Sequence, residues 1–172
     1  MARIFWWRLL FGLAVILLQF SLGTIVFPGN PVPGLLLNTI VALVLVRGFR
    51  EGASQWLVLL IGYDLLRVGF VTPLVPMGIL LAYATSFISR RYVFEHRGVG
   101  MILLSFLSVA FGILYVFFLA WTNSRFFGAG VFLSDSLLAF IFFFPVFSLV
   151  QYFESRLETV YRSDFRGMRH SL

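Results

Sequence analysis

Arg47-Gly48-Phe49-Arg50-Glu51-Gly52 is followed by eleven uncharged residues, Ala53 to Tyr63, and then by Asp64-Leu65-Leu66-Arg67. The first six read as a tight charged turn between two apolar segments, because glycine permits sharp backbone turns and charge favours water. The last four put a carboxylate and a guanidinium inside a run otherwise apolar enough for a membrane helix. Ionisable groups at that depth are costly, so they pair with one another or serve a ligand. A short turn between apolar helices makes them antiparallel neighbours, and the rest of the chain is read outward from that hairpin.

The composition agrees with a bilayer as solvent. Of 172 residues, 60% are hydrophobic and only 12% charged, against roughly 25% charged in a soluble domain. The length suits a single helical bundle. The net charge of +6 is assigned to arginines on cytoplasmic loops. No basic stretch is interleaved with aromatics as nucleic-acid binding would require. All 13 basic residues are arginine, to which no function is attached, and the absence of cysteine excludes disulfides, thiol catalysis and cysteine metal sites.

Upstream of the hairpin, Arg3, Trp6, Trp7 and Arg8 form a basic, aromatic interface anchor, and Leu9 to Phe27 is the first span. Ser21-Leu22-Gly23 offers a small-x-small site of the kind that ends a signal peptide, but retention of the segment is expected. Pro28 to Gly34 is an uncharged loop, and Leu35 to Val46 the second span, which is short unless it begins near Pro31. Ala53 to Val71 is the third and Leu74 to Ser89 the fourth, separated by a turn at Gly69 to Pro73. Arg90 to Arg97 is a cytoplasmic loop, Gly98 to Ser124 the fifth span, Arg125 to Ser134 an outer loop, and Asp135 to Tyr152 the sixth span, with Pro145 expected to bend it. Residues 1–152 thus form an all-α transmembrane domain of six helices. Residues 153–172 form a short cytoplasmic helical tail, carrying an apolar stripe through Phe153, Leu157, Val160 and Tyr161.

Six spans put both termini on one side, together with Arg3, Arg8, Arg47, Arg50, Arg90, Arg91, Arg97, Arg156, Arg162, Arg166 and Arg169. Only Arg125 falls on the other side, so both termini are cytoplasmic. The arginines at 47, 50, 90, 91 and 97 mark cytoplasmic loops that set orientation or touch anionic lipid or a filament protein.

This topology gathers Asp64, Arg67, Asp135 and Arg125 towards the outer face. Asp64 and Arg67 are three apart and share a helix face. Three readings stay open for them. One is a structural ion pair that locks helix packing. Another is an outward-opening polar site for a partner or ligand. The third is an aspartyl dyad for intramembrane hydrolysis, against which Arg67 argues, since it favours ionising both acids. His96 and His170 lie in polar cytoplasmic segments and read as solvated, and no metal site or cofactor is expected. Nucleotide-binding and HExxH motifs are missing from the sequence. Gly48 and Gly52 are four apart but are assigned to the turn, not to a helix-dimer motif.

Several features in order resemble the MreD family of rod shape-determining membrane proteins. They are Pro33-Gly34-Leu35-Leu36-Leu37 closing the uncharged loop, the Arg47-Gly48 turn, Gly62-Tyr63-Asp64-Leu65-Leu66, Pro76-Met77-Gly78, and the closing Arg90-Arg91. The similarity covers Pro31 to Arg91. The chain departs from the family pattern at Gly34, where an acid is usual, and at Arg67 and Pro73. The resemblance implies a non-enzymatic scaffold of the bacterial cell-elongation and peptidoglycan-synthesis machinery, in the inner membrane. Its implied partners are an MreC-like single-pass protein and, through it, MreB, RodA and a class B penicillin-binding protein. The family is similar in fold to the S components of energy-coupling-factor vitamin transporters, which makes a substrate-binding subunit the alternative.

Overall fold

The computed structural model describes residues 2–21, 34–66, 74–90, 97–123 and 129–169. They form six helices and no strand: α1 (Ala2–Ser21), α2 (Gly34–Arg47), α3 (Phe49–Leu66), α4 (Leu74–Ile88), α5 (Arg97–Asn123) and α6 (Ala129–Arg169).

The hairpin that organises the sequence is tighter than a six-residue turn. Gly48 alone separates α2 from α3, with φ of 82°. Its N–H donates to the Val44 carbonyl at 2.8 Å, the single closing bond of a left-handed helix cap. Its own carbonyl accepts from the Gly52 N–H at 3.1 Å, the first bond of α3. Phe49, Arg50, Glu51 and Gly52 are therefore helical, which corrects their assignment to a turn. The charge pattern suits this geometry. Arg47 sits in the last turn of α2 and Glu51 in the first turn of α3, each matching the sign that a helix end favours.

Gly52 is buried, and a Cβ there would lie 3.5 Å from the Leu43 carbonyl oxygen. The small residue lets the two helices close immediately after the turn. A closer approach joins α3 to α4. A Cβ on Gly78 would sit 3.0 Å from Leu60 Cγ and nearer still to its methyl groups. Pro76 falls in the first turn of α4, where its missing N–H costs no helical bond.

The second helix is the axis of the bundle. Every residue from Leu36 to Val44 is buried, and α2 packs against each of the other five helices. A helix apolar on all sides belongs inside. Around it, α1 packs on α3, α3 on α4, α4 on α5, and α5 on α6. The ring does not close in the same way between α6 and α1. These two helices do not pack along their lengths, but meet through Phe11 and Phe153, stacked at 4.5 Å, and through Arg8 and Glu154.

Side-chain pairs fix the helix directions. Gly12 meets Leu59, Ile16 meets Gly62 and Phe20 stacks on Tyr63, so α1 and α3 run parallel. Arg47 reaches Glu154 and Asn38 reaches Ala139, so α2 and α6 are parallel as well. Leu60 against Gly78 and Phe49 against Tyr83 make α3 and α4 antiparallel. One end of the bundle, here the proximal end, therefore carries Arg8, Gly48 and Glu154. The distal end carries Ser21, Gly34 and Leu66.

Several expected boundaries move. The first helix begins by Ala2, so Arg3, Trp6, Trp7 and Arg8 are helical. The sixth begins at Ala129, inside the segment assigned to an outer loop, and runs unbroken to Arg169 through residue 153. Phe153 and Glu154 pack in the bundle. The expected loop at Pro28 to Pro33, the turn at Gly69 to Pro73, and His96 and His170 lie outside the described residues. Among the described residues, Gly98–Phe118 in α5 is the one helical segment long and apolar enough to cross a membrane by length and composition. Trp6–Ser21, Gly34–Arg47 and Leu74–Ile88 are apolar but shorter.

Candidate functional site

The densest polar cluster lies at the proximal end and joins four helices. Glu154 of α6 is 2% exposed. Its Oε2 accepts from Arg8 Nη2 of α1 at 2.9 Å and lies 3.5 Å from Arg47 Nε of α2. Its Oε1 accepts from Gln55 Nε2 of α3 at 3.1 Å. Gln55 in turn accepts from Arg47 Nη1 at 2.9 Å, which closes the ring of contacts. Both carboxylate oxygens are thus engaged by charge-assisted or amide hydrogen bonds, the arrangement a buried carboxylate requires.

The ion pairs given for the cluster join two guanidiniums to one carboxylate. The arginine side chains are 22% and 16% exposed, at Arg8 and Arg47 respectively. Arg8 Nε is buried with no hydrogen-bond partner among the described residues.

A second polar centre crosses the bundle nearer its middle. Asn38 of α2 is 1% exposed. Its Nδ2 donates to the Ala139 carbonyl of α6 at 2.8 Å, and its Oδ1 accepts from Ser108 Oγ of α5 at 2.6 Å. It lies nine residues before Arg47, about 13 Å along the helix at ~1.5 Å per residue. At the distal end, Gln19 Oε1 of α1 accepts from the N–H groups of Leu35 and Leu36 at 2.9 and 3.4 Å. It thereby satisfies donors that the first turn of α2 leaves without intrahelical partners. Three polar side chains, at three levels, each tie α2 to neighbouring helices.

Of the residues singled out in the sequence, Arg47 is drawn into this architecture, bound to Gln55 and Glu154. Arg50 and Arg90 are exposed. Asp64 is half-buried near the distal end of α3. The backbone of Asp135 lies in the first turns of α6 and that of Arg97 opens α5. Their side-chain positions, together with Arg67, Arg91 and Arg125, fall outside the described residues.

Glu154 was missed as a site residue because it follows the expected end of the sixth span and reads as part of a solvated tail. The signal was available in its neighbours. Phe153 and Leu157 flank it at helical spacing, so the apolar stripe of α6 continues past it. Among the described residues, no group of three or more metal-ligating side chains comes together. The geometry is that of a multi-helix clamp. Comparison with protein-family models, with curated proteins and with solved structures finds no match to this chain.

Proposed function

We propose that the chain is a six-span integral membrane protein of the bacterial cytoplasmic membrane, with both termini cytoplasmic, acting as a non-enzymatic scaffold of the cell-elongation machinery. The observation that carries the membrane placement is the character of the bundle's outer surface. All five helices around α2 present large apolar side chains outward. Examples are Leu13 and Leu17 of α1, Ile61 of α3, Leu80 of α4, Phe106 and Phe117 of α5, and Ile141 and Leu149 of α6. Continuous exposed apolar surface on this scale is disfavoured in water and natural in lipid. Apart from Asp64, the described charges collect at the proximal end, in keeping with the eleven arginines that the sequence assigns to the cytoplasmic side.

Helix length is compatible with this placement. The apolar run that begins in α1 continues to Phe27 in the sequence. The short α2 is enclosed by protein, so it need not match the hydrocarbon thickness of ~30 Å.

The scaffold role rests on the resemblance of Pro31 to Arg91 to the MreD family. An MreC-like single-pass protein is then the direct partner, with MreB, RodA and a class B penicillin-binding protein further along the assembly. Such association within a bilayer would depend on close apolar packing, with polar contacts supplying specificity.

Two measurements test the proposal. The chain has no cysteine, so single cysteines introduced at Ser54 and at Asn30, in the uncharged loop after the first span, report sidedness directly. Labelling by a membrane-impermeant maleimide from the outer side is expected at Asn30 and not at Ser54. For the partner, the protein is purified in mild detergent from cells that contain MreC. Recovery of MreC at constant stoichiometry supports the scaffold. A vitamin or metabolite bound in its place, with no MreC, overturns it in favour of a transporter subunit.

A further inference from the structure

Thr85 of α4 is fully buried, and its Oγ1 has no hydrogen-bond partner. The other buried serine and threonine hydroxyls among the described residues are satisfied. Thr39 donates to the Leu35 carbonyl, Ser105 to the Ile102 carbonyl and Ser108 to Asn38. Trp56 of α3 is buried too, and its indole Nε1 is likewise without a partner. Buried polar groups are nearly always hydrogen-bonded, so two bare ones point to a ligand that satisfies them.

Helical register brings the two groups together. Leu60 meets Gly78 across the antiparallel α3–α4 pair. Thr85 lies seven residues after Gly78 and so shares the face of α4 that is turned to α3. Trp56 lies four residues before Leu60, on the face of α3 turned to α4. Side chains on a helix lean towards its N-terminus, and the indole does so here. Its Cδ1 is 3.5 Å from a Cβ built on Gly52. Gly52 lies eight residues before Leu60, so indole and hydroxyl fall at one level, about two turns from the Leu60–Gly78 contact. The Leu43 carbonyl oxygen of α2 is also 3.5 Å from that built Cβ. A carbonyl has two lone pairs, of which its own helix uses one. Polar groups of α2, α3 and α4 thus gather beside Gly52.

We propose that this junction binds one ordered water molecule, held by Trp56 Nε1, Thr85 Oγ1 and the Leu43 carbonyl. The donor set selects the ligand. An indole N–H only donates, so the ligand must accept; a carbonyl only accepts, so the ligand must also donate. The first repels a cation and the second an anion. Trp56 is 2% exposed and Thr85 0%, a degree of burial that suits water, which typically takes about three partners in such sites. The site gives α4 what it otherwise lacks. Among the described residues, no side chain of α4 hydrogen-bonds to another helix, whereas Gln19, Asn38 and Glu154 tie the remaining helices together. The water is the polar tie of α4 to α2 and α3, whatever solvent surrounds the bundle.

Three measurements on the full chain test the site. Thr85→Val exchanges the hydroxyl for a methyl group of similar size. With water bound, the unfolding midpoint should fall by a few degrees. An unchanged or higher midpoint overturns the proposal, because removing a bare buried hydroxyl relieves its desolvation cost. Trp6, Trp7 and Trp121 are exposed, and replacing all three with Phe leaves Trp56 as the one indole. Its N–H bending band in resonance Raman should then be that of a hydrogen-bonded indole. A free indole N–H overturns the site whether or not the Thr85 variant folds. Diffraction from crystals of the wild type should show an isolated density peak about 3 Å from both Nε1 and Oγ1. A missing peak, or Nε1 and Oγ1 in direct contact, overturns the bound water. Density larger than one oxygen atom overturns it in favour of a larger ligand.

Discussion

Arg8 and Glu154 are 146 residues apart in sequence and 2.9 Å apart in space. Their contact joins the first helix of the bundle to the last. Because Arg47 and Gln55 meet the same carboxylate, one buried side chain holds α1, α2, α3 and α6 in register. A charge so placed is tolerated because both of its oxygens meet donors.

Glu154→Gln is therefore expected to destabilise the protein strongly. It leaves two guanidiniums close together with no carboxylate between them. Removing one partner from a buried ion pair costs about 3–5 kcal/mol. Thermal unfolding in detergent should show a large fall in midpoint, smaller for Glu154→Asp. A double variant, Arg8→Met with Glu154→Gln, should recover part of the loss, since it removes one of the two opposed cations. No recovery would mean that Arg8 contributes packing and not charge.

How far this was legible beforehand follows from the physics of each element. The all-helical class and the α2–α3 hairpin could be read from apolar runs, glycine and charge. The centrality of α2 could not. A helix apolar on every side looks the same in sequence whether protein or lipid surrounds it. The Arg8–Glu154 pair was hidden for a different reason. Local patterning shows residues three or four apart, and nothing in it joins the start of the chain to position 154. Asp64 stands out in the sequence as a charge within an apolar run, whereas Glu154 sits among polar neighbours at the end of one.

Asn38 provides a milder test. It bridges Ser108 and the Ala139 carbonyl inside the bundle. On the membrane reading, hydrogen bonds between helices average ~0.6 kcal/mol and reach ~1.7 kcal/mol. A double-mutant cycle of Asn38→Ala and Ser108→Ala should give a coupling within that range. Asn38→Leu should cost more than Ser108→Ala, since it leaves both the serine hydroxyl and the Ala139 carbonyl without the amide. Equal losses would show that packing volume, not hydrogen bonding, dominates the site.

Gly78 tests packing alone. A Cβ at this position runs into the Leu60 side chain, and Leu60 is fully buried. Gly78→Ala should destabilise by about 1–3 kcal/mol, the usual cost of overpacking. Leu60→Ala alone should also destabilise, by opening a cavity of about 2–5 kcal/mol. The double variant should be more stable than the sum of the two single losses, because each change offsets the other's volume. Strict additivity, measured by unfolding midpoints, would contradict the close approach of α3 and α4.

Gly48 and Gly52 carry the hairpin in different ways, and substitution should separate them. Gly48 has φ of 82° with no atom within 4 Å of a built Cβ. Its constraint is conformational. Gly48→Ala should cost about 1–2 kcal/mol, the left-handed penalty for a residue with a Cβ, and Gly48→Asn less, since asparagine tolerates that region. Gly52 is an ordinary helical residue whose Cβ would meet the Leu43 carbonyl oxygen at 3.5 Å, an ordinary contact distance. Its constraint is size. Gly52→Ala should therefore be nearly neutral or slightly stabilising through helix propensity, whereas Gly52→Leu should force α2 and α3 apart and cost several times more. If both positions instead responded to backbone preference alone, with Asn rescuing each equally, the single-residue connection at Gly48 would be wrong and the longer turn restored.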